Sequence, residues 1–264
     1  MEKLGIILTS RWAAALSAMI FIAVAVWNPS IVETLQLKTF DYFITSLDSK
    51  ESEEIVLVEF GEKSVQSFGQ WPFDRRDIAK TIDKLRENGA AVVAVPILFS
   101  EKDRAGGDSV LEKSIAGGGI VISQTPTSQT RNPDAARRGF AAIGNDPAPH
   151  LFTWRGAIAP LPELAGNADG VGLLAVAPER DGVVRRMPML ARIGDTLYPS
   201  LVLETLRTAA GDPSYQIKTG EAGVEAVRIP QFPAINTDEK GRIWLAWNSK
   251  FERIDATEIT AAKV

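Results

Sequence analysis

The N-terminal stretch is the longest apolar run of the chain. Residues Trp12 to Trp27 read WAAALSAMIFIAVAVW, with no charged side chain and with tryptophan at both ends. With Leu8–Arg11 added, the run reaches about twenty residues, which is the length that an α-helix needs to cross a bilayer. Lys3 and Arg11 precede it, and no basic cluster follows it closely. The positive-inside rule then predicts a cytoplasmic N-terminus, with the rest of the chain outside.

Two other interpretations of this run stay open, namely a cleaved signal peptide and a buried core helix. The sequence Val26-Trp27-Asn28-Pro29 lacks the small residues of a cleavage site, which disfavours the signal peptide. We therefore expect residues 1–30 to form a membrane anchor with one transmembrane helix. Residues 31–264 are expected to form a domain on the far side of the membrane.

The patterns after the anchor predict an α/β domain with a mixed, partly parallel central sheet flanked by helices. Apolar residues recur every three or four positions over Ile31–Leu47, which is typical of an amphipathic helix. The β-branched run Ile55–Phe60 predicts a buried strand, and Asp74–Asn88 predicts a helix that begins at an N-cap aspartate. Ala90–Phe99 predicts a second buried strand, ending or lying at a sheet edge near Pro96. Strand, helix and strand at this spacing favour a parallel pair.

The second half of the chain is predicted to contain shorter elements. A helix over 108–116 ends at Gly117-Gly118-Gly119 before a strand over 120–124, and residues 125–149 are expected to be a surface excursion. Strands over 171–177 and 183–193 are joined by a turn at Glu179–Gly182. A helix over 199–210 and strands over 224–229 and 242–247 follow.

Composition excludes several kinds of function. The 264 residues carry 29 basic and 33 acidic side chains, so a net charge of −4 disfavours nucleic acid as a partner. With no cysteine and a single histidine, His150, the chain has no Cys-ligated metal site and no His-rich one. We expect no cofactor and no metal. The glycine run at 117–119 lacks the endings of phosphate-binding loops, so we interpret it as a helix stop.

Candidate ligand-binding residues lie where the predicted strands end. The loop Phe68–Arg76 concentrates Trp71, Pro72 and Phe73 between the first strand and its helix, a position where open α/β sheets bind ligands. The alternative is that Trp71 and Phe73 plug the core. Arg185, with Arg180 and Arg186, is a candidate for an anion pocket. The candidate ligand-binding set is Trp71, Asp74, Arg75, Asp103, Arg104 and Arg185.

Five ordered segments resemble the CHASE2 family of extracytoplasmic sensor domains. They are LKTFDYF (37–43), the stretch from Ile55 to Leu85, NGAAVVAVPILFSEKDR (88–104), ERDGVVRRMPML (179–190) and LYPSLVLETL (197–206). Together they extend over about 31–259. Glu59 and Pro96 stand where the family commonly has aspartate, so a ligand role of those two positions does not carry over to this chain.

The resemblance implies the input module of a membrane-bound signalling receptor, with its main domain in the periplasm. It implies an unknown small ligand and a cytoplasmic adenylate or guanylate cyclase or a histidine kinase that the present chain lacks. A homodimer is one expected partner arrangement, and the sequence leaves the oligomeric state open. The chain stops where the family pattern continues, so its C-terminal end is expected to be truncated. Whether the parent protein is an enzyme is left open by the sequence. The competing hypothesis is an exported, membrane-tethered hydrolase that uses Glu59, Glu101 and Asp103 at the ends of two neighbouring strands.

Overall fold

The computed structural model describes residues 11–27, 30–49, 51–131, 139–247 and 250–261. The helices in these ranges are α1 (Arg11–Trp27), α2 (Ser30–Ser46), α3 (Glu62–Phe68), α4 (Arg75–Glu87), α5 (Asp108–Ala116), α6 (Pro162–Asn167), α7 (Leu201–Ala210) and α8 (Ala256–Ala261). A short 3-10 helix spans Ala148–His150.

The strands in the same ranges are mostly short. They are β1 (Glu51–Glu59), β2 (Val93–Val95), β3 (Ile120–Thr127), β4 (Gly139–Gly144), β5 (Thr153–Trp154), β6 (Gly156–Ile158), β7 (Gly170–Leu173), β8 (Arg186–Pro188), β9 (Leu190–Ile193), β10 (Thr196–Pro199), β11 (Ser214–Thr219), β12 (Val224–Arg228), β13 (Ile235–Asn236), β14 (Arg242–Trp244) and β15 (Lys250–Asp255).

The chain divides into two units. The first comprises Met1–Ser52 with Ala246–Lys250, and the second comprises Glu53–Leu245 with Phe251–Val264. In the first unit, α1 exposes most of its large apolar side chains, and α2 confirms the helix predicted over Ile31–Leu47. Within the ranges given above, no helix is long and apolar enough to cross a bilayer.

A parallel sheet forms the centre of the second unit. Strand β3 pairs in parallel with β2 on one side and with β7 on the other, and its far end pairs antiparallel with β6. Ile120 and Ile122 of β3 share one apolar cluster with α4, α5 and α6. Val121, whose side chain points to the opposite face, is equally buried, and α7 packs on the sheet.

Three other sheets belong to the second unit. The largest has the order β13-β12-β11-β4, with β11 parallel to β4 and antiparallel to β12. Its buried residues Tyr215, Ile217 and Val227 pack with Leu203 of α7. The others are β10-β9-β5 and β14-β8. A further pair, β1-β15, joins the first strand to the last one.

The structure corrects the predicted pairing of the first strand. We expected Ile55–Phe60 to be buried and parallel to the strand over 90–99, but β1 pairs with β15, and Ile55, Val56 and Leu57 are exposed. The parallel partner of β2 is β3 instead. The prediction failed because an apolar run of this length indicates a strand but does not identify its partner.

Two further expectations about the later elements are wrong. Residues 171–177 and 183–193 do not form a hairpin, because β7 pairs with β3 whereas β8 pairs with β14. The turn between them is present, since the amide of Gly182 donates to the carbonyl of Glu179. Part of the expected surface excursion is β4, which lies beside β11 in a sheet. Arg137 and Arg138 in that stretch, which the sequence offers as a second candidate for an anion pocket, lie outside the described residues.

Candidate functional site

Two loops meet where helices α4 and α5 begin. Asp74 caps α4, because its carboxylate accepts a hydrogen bond from the amide of Arg76 at 2.8 Å. The Arg76 guanidinium pairs with Asp74 at 2.8 Å and donates to the carbonyl of Ala105, in the other loop, at 2.8 Å. We call residues 74–76 and 101–108 together the charged junction.

Arg75 holds the second loop of the charged junction in place. Only 8% of this residue is exposed. Its guanidinium pairs with Asp108, donates to the carbonyl of Glu101 and lies 5.2 Å from the centre of the Phe99 ring. A buried guanidinium is tolerated when its charge is paired and its donors are used, as they are here.

Asp103 is hydrogen-bonded mainly by backbone groups. Its carboxylate accepts from the amide of Gly107 at 2.8 Å and faces that of Arg75 at 3.5 Å, while its own amide donates to Asp108 at 3.0 Å. Burial by itself would raise the pKa of Asp103. Hydrogen bonds from the amides of Gly107, Ala105 and Arg75 outweigh that effect and hold the pKa below its usual value.

Gly107 allows the two loops to approach one another. A β-carbon at this position would lie 2.8 Å from Oδ1 of Asp74 and 2.9 Å from Oδ2 of Asp103. The charged junction therefore has no room for a side chain at its centre. The sequence analysis missed Gly107, Asp108 and Arg76, although two glycines before a helix are a signal for a tight connection.

Three of the predicted ligand-binding residues, Asp74, Arg75 and Asp103, are brought together in the charged junction. Arg104 is an exposed residue between Asp103 and Ala105. Trp71 is 59% exposed, and its ring meets the Phe73 ring edge-on at 5.5 Å. The alternative of a core plug is correct for Phe73, which is buried and stacks on Phe60, and wrong for Trp71.

Arg185 belongs to a different network, at the turn Glu179–Gly182. Its guanidinium donates to the two carboxylate oxygens of Asp181 at 2.9 and 2.8 Å, and only 2% of its side chain is exposed. The hydrogen bond from Arg185 is the main cause that lowers the pKa of Asp181 to about 2. The guanidinium that we expected in an anion pocket is thus buried and paired with an acidic residue.

The guanidinium of Arg186, which follows Arg185 in the chain, is also paired with acidic side chains. It binds Glu179 with two hydrogen bonds of 2.7 and 2.9 Å and contacts Asp238 at 3.2 Å. Arg242 pairs with the same Asp238 at 2.7 Å, and the hydrogen bond from Arg186 is the main cause that lowers the pKa of Glu179. Asp238 and Arg242 could not be recognised from the sequence, because the contact that brings them to Arg186 joins residues 52 positions apart.

The geometry does not support the hydrolase hypothesis. Glu59 ends β1, is exposed and lies 3.5 Å from Arg253. Since β1 pairs with β15 and not with β2, Glu59 and Asp103 do not follow neighbouring strands of one sheet. The lowered pKa of Asp103 also keeps its carboxylate a weak base at neutral pH.

The family of the chain follows from a comparison with known protein families. A model of the CHASE2 domain family matches residues 17–264. The chain belongs to the CHASE2 family. CHASE2 domains are extracytoplasmic sensor domains of signalling receptors. No curated protein and no solved structure gave a significant match. The match begins within α1 and includes the charged junction of this CHASE2 domain.

Proposed function

We propose that the chain is the ligand-sensing, extracytoplasmic input domain of a transmembrane receptor, and that it passes a conformational change to a cytoplasmic effector. The observation that carries this proposal is the CHASE2 match over residues 17–264. The effector lies outside the chain. The resemblance described above puts an adenylate or guanylate cyclase first and a histidine kinase second.

In this proposal, residues 8–27 anchor the domain in the inner membrane, with the N-terminus in the cytoplasm and the main domain in the periplasm. Helix α1 supports the anchor because its large apolar side chains, including Phe21 and Ile22, are exposed to their surroundings. Trp12 and Trp27 are its first and last large aromatic residues, and both are exposed. Tryptophan is enriched at both interfaces of membrane-spanning helices.

The ligand site that we propose is the surface of the charged junction. Asp74, Arg75 and Asp103 make hydrogen bonds to backbone groups and charged side chains of the two loops, so they hold the loops in position. Trp71 and Arg104 are exposed on these two connected loops and provide an aromatic ring and a cation. Loops that are ordered before binding lose less conformational entropy when a small ligand binds.

Helix α2 supplies the proposed route toward the membrane. It leaves Ile31, Leu35 and Phe43 exposed, and these apolar side chains support pairing with the same helix of a second copy. The proposed receptor is therefore a homodimer. The ligand needs only a small differential affinity for the two states, because coupling energies of about 1–3 kcal/mol are typical of such systems.

Thermal unfolding of the full chain in detergent micelles tests this proposal. We expect a small periplasmic metabolite in a screened library to raise the Tm, by about 5–10 °C at a hundredfold excess over its Kd. Trp71→Ala and Arg104→Ala should each abolish most of that shift. Trp247→Ala and Arg155→Ala, which also change exposed residues, are matched controls and should leave the shift unchanged. A ligand whose shift survives both site substitutions would contradict the proposed site.

A further inference from the structure

The last described segment of the chain lies on the first strand–helix unit of the domain. Strand β15 pairs with β1, and α8 packs against α3 and α4. Residues nearly two hundred positions apart are thereby neighbours. The segment that begins the domain and the segment that ends the described chain are held together at this place.

A single carboxylate joins these segments through two hydrogen bonds. Asp255, at the end of β15, accepts hydrogen bonds from the hydroxyl of Ser64 at 2.8 Å and from the amide of Gly61 at 3.2 Å. It also accepts from the amide and the hydroxyl of Thr257, at 2.9 and 2.6 Å. Asp255 thus caps α8 and binds the start of α3 at the same time.

The surroundings of Asp255 are closely fitted to it. A β-carbon on Gly61 would lie 2.9 Å from Oδ2 of Asp255, and Ser64 is completely buried. Burial alone would raise the pKa of Asp255, but the hydrogen bonds from Thr257, Ser64 and Gly61 outweigh it and lower the pKa to about 2. The carboxylate is therefore charged and fully engaged at neutral pH.

The other side-chain contacts between this segment and the start of the domain are ion pairs at the surface. The ion pairs Lys63–Glu258 and Arg253–Glu59 join side chains that are about half exposed or more, and such pairs contribute little to stability. Residues 250–253 of β15 are exposed, and Ala256 is the one completely buried apolar residue of β15 and α8. An isolated two-stranded sheet is marginally stable, and regions with few buried apolar contacts open first.

We propose that β15 and α8 form a latch that Asp255 closes onto Gly61 and Ser64, and that this latch opens and closes while the rest of the domain stays folded. Its role as the element that carries the signal rests on the proposed function above. Opening separates β15 from β1, the strand that follows α2 in the sequence. The latch gives the domain two states that differ in how its first and last segments are connected.

Hydrogen exchange of the full chain in detergent micelles tests the latch. Asp255→Ala should increase the rate of amide hydrogen exchange over residues 250–261 about tenfold or more, because it removes a half-buried carboxylate that accepts four hydrogen bonds. Exchange over 214–228, in β11 and β12, should not change. Glu258→Ala, which removes only the exposed ion pair, is the matched control and should change exchange over 250–261 by less than about threefold.

Two outcomes would overturn the latch. One is unchanged exchange over 250–261 in Asp255→Ala, and the other is equal acceleration over 214–228, which would show that Asp255 supports the whole fold. A carbodiimide cross-link between Lys63 and Glu258, whose charged atoms are 2.6 Å apart, provides a second test. It should restore slow exchange in Asp255→Ala, and failure to restore it would also overturn the proposal. Neither measurement uses a ligand, so the result is independent of the ligand screen.

Discussion

Charged side chains in this domain are mostly used to hold loops together. Arg75 and Arg185 are both almost completely buried, and each pairs with an aspartate on the same or a neighbouring loop. These residues were candidates for ligand binding because arginine beside a loop suggests an anion site. Their burial and pairing show that such a sequence pattern does not distinguish a ligand-binding arginine from a structural one.

We predict that Arg185→Ala lowers the free energy of unfolding by about 2–4 kcal/mol, because it removes a large side chain that is almost completely buried. The measurement is chemical denaturation of the purified chain. Lys218→Ala is the control, since it breaks the exposed Lys218–Glu225 pair and should cost less than about 1 kcal/mol. Equal effects of the two substitutions would contradict the structural role of Arg185.

The pH dependence of stability follows from Asp181 and Asp255, whose pKa values are each lowered to about 2. An aspartate in the unfolded chain has a pKa of about 3.9. Above pH 4 the folded state therefore has the full benefit of both lowered pKa values, and this benefit is lost as the pH falls from about 4 to 2.

Chemical denaturation at a series of pH values should show that the free energy of unfolding falls between about pH 4 and pH 2. Asp255→Asn should make this fall less steep. A control at an exposed aspartate, Asp195→Asn, should leave the steepness unchanged. A decline with the same steepness in the wild-type chain and Asp255→Asn would show that the carboxylate of Asp255 is not held in its charged form.

The longer helices were predictable because their signals are local, whereas the short helices α3, α6 and α8 were not predicted. Asp74 caps α4, and Ser200 caps α7 by accepting a hydrogen bond from the amide of Leu203, so both helices begin within two residues of the predicted positions. The predicted glycine stop after α5 is confirmed, because Gly118 and Gly119 both have positive φ. The end of β2 directly before Pro96 is confirmed as well.

Strand pairing could not be predicted in the same way. The partner of β1 lies about two hundred residues away, and β4 and β11 pair in parallel across seventy residues. Many strands of the described ranges have only two to four residues, which is too short for alternation to show in the sequence. For the charged junction, the sequence located Asp74, Arg75 and Asp103 but not the hydrogen bonds that join them.

The connection between the two loops of the charged junction gives a prediction of its own. Gly107→Ala should lower the free energy of unfolding by about 1–3 kcal/mol, because the new methyl group would crowd the carboxylates of Asp74 and Asp103. Gly166→Ala, at an exposed position of α6 with open space around the β-carbon, should be neutral or slightly stabilising. An unchanged free energy of unfolding in Gly107→Ala would contradict the close approach of the two loops at this residue.

The molecule combines an apolar N-terminal helix with an α/β domain whose family senses ligands outside the cytoplasm. The charged junction adjoins the apolar cluster below the central sheet, whereas β15 and α8 contribute Ala256 alone to the buried apolar residues. This contrast suits a sensor, because a rigid site binds a ligand and a weakly held element responds. The proposal depends on the domain being outside the cytoplasm.

Labelling of single cysteines tests that location most directly, and the chain offers a clean background because it has no cysteine. Glu221→Cys places a thiol at the exposed turn between β11 and β12, and Lys3→Cys places one before the apolar run. In spheroplasts treated with a membrane-impermeant maleimide, we predict that Glu221→Cys is labelled without lysis and Lys3→Cys only after lysis. Labelling of Glu221→Cys only after lysis would contradict the assignment of this chain as an extracytoplasmic sensor.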